Sequence, residues 1–408
     1  FKNVKELSFV NDMKIRASYG VTGNFEIGNY EHLATMSTDN YILGTNGGLL
    51  HYGYKPDNIK RDDLSWEKNQ MINAGIDLQM FDGYIGFSVD YYNTNTSNML
   101  LYVPVPLLTG YSTSLQNLGK VNNRGWELAL TSQHTFANGF GYSFNANYAK
   151  NTNEVKELGP GNAPIISSGS VAHAYYITEV GKPIGNYYLL VQDGIFATEE
   201  DLKKYPHFDN TEVGDFRFVD VDGDGKLDLD KDRTICGNYM PKFTYGFGGK
   251  LWYAGFDMDF NFQGVYGNKI LNLNKRYLDN MEGNTNGTKI ALDRWKSPEN
   301  PGSGSVNKAN RKQTGYNSRT STWHLESGSY LRLQNLSLGY TLPRALTQKF
   351  KVEKMRVYVS GQNLFTITNY SGYNPEVNAR PSKNLTPGED YGTYPLARTY
   401  MFGLNLTL

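Results

Sequence analysis

The 408-residue chain has one cysteine, Cys236. That excludes an internal disulfide and any cysteine-built zinc site, and leaves the redox compartment open. No run of about eighteen apolar residues occurs, so no helix of this sequence is predicted to cross a membrane. Lys plus Arg and Asp plus Glu balance at 40 each, and this neutrality leaves no electrostatic footprint for nucleic acid. Histidine is scarce, with six residues, and none falls in an HExxH or paired spacing; a GxSxG elbow is also absent. With no catalytic constellation, the chain does not read as an enzyme. It opens at Phe1 without Met, a basic segment or an apolar leader, which reads as a processed or partial chain and leaves its location open.

Aromatic residues and glycine are abundant: 31 Tyr, 20 Phe and 43 Gly. Aromatics suit strands and membrane-interface girdles, and glycine suits turns and bends. A secreted all-β protein would share this composition. The patterning goes further. In Phe256-Asp257-Met258-Asp259-Phe260-Asn261-Phe262-Gln263 large apolar and polar residues alternate strictly, so a strand there has one apolar and one wet face. Similar segments lie at about 13–19, 66–78, 87–91, 126–130, 142–148, 175–180, 187–196, 243–247, 330–340, 355–362 and 400–408. The connections between them run long, short, long, short. Phe81-Asp82-Gly83 and Asn138-Gly139 mark tight turns, and the longest connections cover about 197–235, 268–322 and 366–398. Short turns at one end and long loops at the other are the signature of a transmembrane β-barrel.

The expectation is therefore an all-β fold, a large antiparallel transmembrane β-barrel with lipid against the apolar faces and water inside. Residues 1–408 supply about twelve strands, whereas plugged transporters have about 22, so earlier strands and a plug domain not in this chain are expected upstream of Phe1 or on another chain. The last strand follows a long loop, which puts the C-terminus in the periplasm and the long loops outside the cell. A parity change between Leu331/Leu333 and Leu336/Leu338/Tyr340 calls for a bulge near Gln334-Asn335. A short helix is expected around 290–295.

One local motif carries chemistry. Asp220, Asp222 and Asp224, then Gly225, Lys226 and Asp228, follow the spacing of a calcium loop, with Lys226 offering its carbonyl. The twelfth position is Lys231, so the closing ligand falls to a neighbour, Asp232 or Asp230. The competing reading is an acidic, solvated turn. Asp257 and Asp259, two apart on a strand, line a wet lumen rather than form a glycosidase pair. Tyr187-Tyr188, Tyr370 and Tyr373 suit either sugar stacking or plain packing.

Other motifs form an ordered set: Arg16-Ala17-Ser18-Tyr19-Gly20 with Ile27-Gly28-Asn29-Tyr30; Trp66-Glu67 before Gly75-Ile76-Asp77; Asp90-Tyr91-Tyr92; Leu118-Gly119-Lys120-Val121-Asn122-Asn123-Arg124-Gly125-Trp126-Glu127; Gly214-Asp215; Arg294-Trp295; Ser329-Tyr330-Leu331-Arg332; Gln362-Asn363-Leu364-Phe365; Tyr373-Asn374-Pro375-Glu376; and Tyr394-Pro395. In this order they resemble the C-terminal barrel of SusC-like TonB-dependent transporters of Bacteroidetes outer membranes. The resemblance implies an outer-membrane importer of oligosaccharides or peptides. It implies a SusD-like surface lipoprotein as partner, and TonB acting through the plug carried by the N-terminal portion. Two departures are the final Leu408, where such proteins commonly end in an aromatic residue, and the absence of a TonB box and plug. The alternative is a cell-surface binding or adhesion protein that merely displays loops.

Overall fold

The computed structural model describes residues 9–24, 30, 32–44, 47–111, 113–312 and 315–408. Part of one sequence motif, at 27–29, lies outside the described residues. Ten strands form one antiparallel sheet in strict chain order. We number them β1 (Val10–Asn24), β2 (Glu67–Met80), β3 (Ile85–Pro104), β4 (Thr113–Thr135), β5 (Gly141–Glu157), β6 (Phe243–Tyr253), β7 (Phe256–Tyr266), β8 (Tyr330–Thr341), β9 (Lys354–Thr368) and β10 (Thr399–Thr407). Each strand pairs with its neighbours in sequence, as expected of a meander.

The two faces differ as the alternation requires. On β7, Phe256 opposes Tyr340 and Met258 opposes Leu338, while Asp257 opposes Gly339 and Asp259 opposes Ser337. The apolar row continues through Val357 and Val359 to Leu404 and Phe402. These side chains are partly or largely exposed, with Phe402 at 87%. An apolar row of this size left bare on a sheet needs an apolar solvent. At the short-turn end the outer rings form a chain. Phe9 stacks on Phe81, Tyr84 meets His134, His134 meets Phe136, Phe136 meets Phe140, and Phe140 meets Tyr253. Phe256 meets Tyr340 one strand further on. This is the placement of an interface girdle.

The expected bulge is present and doubled. Gln334 is skipped between Asn261↔Asn335 and Phe262↔Leu333. On β9 two residues are passed over between Gln362 and Phe365, opposite the single residue Gln334. Asn363 takes a left-handed backbone, φ 53°, which Asn tolerates better than most residues. The paired bulges return Leu333 and Phe365 to the apolar face, where Phe365 meets Phe262. The expected short helix is a 3₁₀ turn, Lys289–Asp293.

One expectation needs correction. Among the described residues the sheet has ten strands, not about twelve. The segments near 175–180 and 187–196 are strands but not staves. Tyr175–Thr178 and Asn186–Leu190 sit in a separate four-stranded sheet with Ile165–Ser168 and Arg233–Asn238. Tyr176, Ile177, Tyr187, Leu189 and Leu190 are all buried, so neither strand has a face free for lipid. Dropping a pair leaves the up-down parity of every other strand unchanged.

Candidate functional site: the polar face and the loop layer

Sequence motifs that lie far apart in the chain meet in space. On the polar face of β1–β3, Arg16 lies between two carboxylates. Its Nε donates to Asp77 Oδ2 at 2.7 Å and its Nη1 to Asp90 Oδ1 at 2.8 Å. Its Nη2 reaches the second oxygens at 2.9 and 2.8 Å, and Ser88 Oγ donates to Asp77 at 2.9 Å. Bidentate guanidinium–carboxylate pairs fix geometry as well as charge. Gly75 lies between these groups, and a Cβ there would collide with Asp90 Oδ1. Three motifs thus form one cluster across three strands. Further round the same face, Arg356 donates to Asp257 at 2.9 and 2.5 Å. Asp257 therefore lies on the lumen side as expected, held by a cation rather than poised as a catalytic acid.

A second junction joins β7, β8 and the connection after β9. Arg332 and Glu376 form an ion pair; Arg332 also donates to Asn374 Oδ1 at 2.8 Å and Thr366 Oγ1 at 2.9 Å. Tyr330 and Gln263 donate to Glu376 at 2.5 and 3.0 Å. A third brings Gly214 against the Trp295 ring, where Gly214 has φ 92° and no room for a Cβ. Beside it Asn317 bridges Asp215 and Glu282 at 2.9 and 3.0 Å.

These junctions knit the long connections into a continuous layer. Glu389 is fully buried and accepts from Ser170 N at 3.1 Å, from Ser170 Oγ, and from Tyr176 Oη at 3.1 Å. Tyr370 Oη donates to Asp390 Oδ2 at 2.5 Å. Tyr187 Oη donates to the carbonyls of Gly388 and Lys269 at 2.9 and 3.1 Å. Burial pushes the Tyr187 phenol well above its ordinary range. Tyr187 and Tyr370 are therefore packing residues; of the stacking candidates, Tyr373 is well exposed. Cys236 packs on the same core, and burial pushes its thiol up to about 11, which keeps it in the thiol form near neutrality.

His324 has no solvent exposure, and its Nδ1 accepts from Ser321 N at 3.2 Å, which fixes a neutral ring. Burial, then the charges of Lys275 and Arg276, push it down to about 3, against an ordinary 6.5. The unfolded layer then binds the extra proton between these values, so stability falls as pH drops from about 6.5 toward about 3. The expected slope is about 1.4 kcal/mol per pH unit. Hydrogen exchange of residues 320–328 across this range should show it, and His324→Gln should flatten the profile. An unchanged profile in the variant would assign the effect elsewhere.

The acidic motif lies at the edge of the layer. Ligand oxygens of Asp220, Asp222 and Asp224 fall within 4.8 Å of one another. Gly223 N and Gly225 N donate to Asp220 at 2.7 and 2.9 Å. Asp224 N donates to Asp222, and Lys226 N to Asp224, at 3.2 and 2.9 Å. The remaining candidates are not part of this cluster. Asp228 accepts from Asp230 N and Lys231 N, which hold its carboxyl below the usual range. Asp232 is buried and accepts from Val221 N and Asp228 N at 2.8 and 2.6 Å, so it closes the loop through the backbone. Leu227 and Leu229, between them, pack on the Phe208–Phe216–Phe218 core. The bridging roles of Asn317 and Glu389 had no sequence signal beyond polarity, because their partners lie from 35 to more than two hundred residues away.

A meander with one bare apolar face, a girdle at its short-turn end and a polar face of paired charges is a wall of a transmembrane β-barrel. The chain belongs to the TonB dependent receptor-like, beta-barrel family, whose model matches residues 6–364, and this places the sheet in an outer membrane. It is 34% identical to TonB-dependent receptor P3 of Formosa agariphila, covering 99% of this chain and 40% of the relative. It is 26% identical to TonB-dependent receptor SusC of Bacteroides thetaiotaomicron, covering 99% and 38%. Among solved structures it is similar to the RagAB peptide importer in its open-open state, with TM-score 0.77, 26% identity, and coverage of 100% and 41%. The chain thus spans about 40% of the length of the curated relatives it matches, and these are receptors, not enzymes.

Proposed function

We propose that this chain forms the C-terminal wall and much of the surface layer of an outer-membrane active importer of peptides or oligosaccharides. The observation that carries the reading is the interlocked loop layer at one end of a two-faced sheet. In this reading the long loops face outward and the short turns and C-terminus face the periplasm. The layer receives a SusD-like surface lipoprotein that delivers substrate. Substrate passes along the polar face once TonB, through a plug in the N-terminal portion, opens the lumen. The similarity to a peptide importer supports peptides, and the similarity to SusC supports the importer class more broadly. Uptake of labelled peptides and glycans by cells carrying the intact protein and its lipoprotein tests this. TonB-dependent accumulation of one class is expected. Surface binding with no TonB-dependent uptake would overturn the importer and leave loop display for adhesion.

The acidic motif fits calcium by donor chemistry: three carboxylates converge, and Asp222 and Asp224 each keep an oxygen free of backbone donors. Asp220, Asp222 and Asp224 would hold the ion with the Lys226 carbonyl; Asp228 and Asp232 would brace the loop. A bound ion would offset the mutual repulsion of the three carboxylates. Millimolar calcium should protect residues 219–233 from proteolysis, and Asp222→Ala should abolish that protection. Equal cleavage with calcium and with chelator would mark the motif as a solvated turn.

A further inference from the structure

The four connections at the short-turn end of the sheet are not alike. Residues 81–84, 136–140 and 254–255 carry aromatic, small or acidic side chains and no Lys or Arg. The connection 342–353 carries Arg344, Lys349 and Lys351, with Glu353 as its one acid. All three cations are exposed, and none forms an ion pair among the described residues. Leu346 and Phe350 are exposed on the same turns, Phe350 at 74%. The connection is nonetheless anchored. Thr347 and Val352 are buried, Val352 N donates to Thr347 O at 3.2 Å, and Leu342 N donates to Met355 O at 2.9 Å. Lys351 takes a left-handed backbone, φ 57°, where Gly or Asn would sit with less strain.

Next to this connection the outer face holds an apolar groove of about 620 Å³. Its walls include Leu338 and Tyr340, which lead into the connection, Val357 and Val359, which lead out of it, and Phe256 and Phe402. Cations on a fixed turn beside an apolar groove match a molecule with an anionic head and a hydrocarbon tail. We propose that the 342–353 connection and this groove bind an anionic phospholipid of the adjoining leaflet, headgroup on Arg344, Lys349 and Lys351 and acyl chain along Leu338 and Val357. The inference rests on the barrel reading, but not on which end of the barrel faces the cell. A neutral girdle receives any lipid; three exposed cations on one connection select by charge, at roughly fivefold per cation near a surface.

The test uses the intact transporter in nanodiscs of phosphatidylcholine mixed with phosphatidylglycerol, with retained lipids counted by native mass spectrometry. Wild type should retain phosphatidylglycerol over phosphatidylcholine by roughly tenfold or more. The combined Arg344→Gln, Lys349→Gln, Lys351→Gln variant should fall to near parity. Lys351→Asn alone, which suits the left-handed backbone, should lose part of the preference without a folding penalty. Arg311→Gln with Lys312→Gln, at the long-loop end, should lose none. No preference in wild type, or full preference in the triple variant, would overturn the proposal. Heat-modifiable gel migration of the same samples reports the barrel separately, so failure of the lipid site and failure of the barrel are distinguishable.

Discussion

Phe260→Arg should destabilise the protein by about 2–4 kcal/mol, whereas Asn261→Arg, one residue on, should change it by about 1 kcal/mol or less. Phe260 opposes Leu336 on the apolar face in the middle of β7, and an arginine there would bring its charge into hydrocarbon. Asn261 opposes Asn335 on the polar face, with Lys250, Asp259 and Ser143 nearby, where water screens an added charge. Both substitutions add the same side chain to the same strand, so strand propensity and chain entropy largely cancel in the difference. Reversible urea unfolding of the intact protein in liposomes, followed by tryptophan fluorescence, gives the two values. Equal losses would mean that both faces meet the same medium, and a larger loss at Asn261 would invert the assignment of faces.

Glu389→Ala should open the loop layer while leaving the sheet intact. The carboxylate serves three donors from a segment more than two hundred residues away: Ser170 N, Ser170 Oγ and Tyr176 Oη. Removing it leaves the Tyr176 hydroxyl, in a residue with no solvent exposure, without its partner, at about 1–3 kcal/mol, while the donors of the exposed Ser170 turn to water and release the segment. Gly169 lies against the same carboxylate, so the loss also leaves a void beside a backbone that was packed tightly. Glu389→Gln keeps the volume and one acceptor oxygen and should fall between. Hydrogen exchange should rise across residues 165–178 and 386–390 in the alanine variant and stay unchanged in the sheet away from the layer, at 126–135 and in β6 and β7. Protection of 165–178 equal to wild type would show that the layer is held by its apolar cores alone.

The sheet was legible because its pattern is local. Period-two alternation with large side chains such as Phe256, Met258 and Phe260 is written within one strand, and the parity slip at Gln334 exposed a bulge before any pairing was known. The alternation of short and long connections added the ends of the sheet. The two misplaced strands show where that reasoning stops. Runs such as Tyr175–Thr178 and Asn186–Leu190 declare extended backbone, but not whether lipid or protein covers them. Here loops cover them, and burial on both faces is visible only once those loops are placed. The upper reaches of β3 and β4 illustrate the same limit. These strands run 20 and 23 residues, far beyond the roughly 9–11 a bilayer requires. Their extensions pack Leu101 and Val121 against Val155 of β5 and against Leu158 and Ile165 in the loop layer. The site was half legible. The Asp220–Asp224 spacing located three carboxylates that do converge, and it gave no indication that Asp232 turns inward to the backbone of Val221 and Asp228. The motif clusters around Arg16, Arg332 and Trp295 were recognisable as an ordered set, but their meaning as contacts required the fold.

The alternation of lipid and water along β7 is the central claim, and a nitroxide scan of residues 256–261 in bilayers tests it most directly. Cys236, a free and half-buried cysteine, is replaced by serine in every labelled variant. Labels at 256, 258 and 260 should relax with oxygen, which concentrates in hydrocarbon, and those at 257, 259 and 261 with a water-soluble nickel chelate. A scan without this period of two, or with the two sets exchanged, would contradict the account.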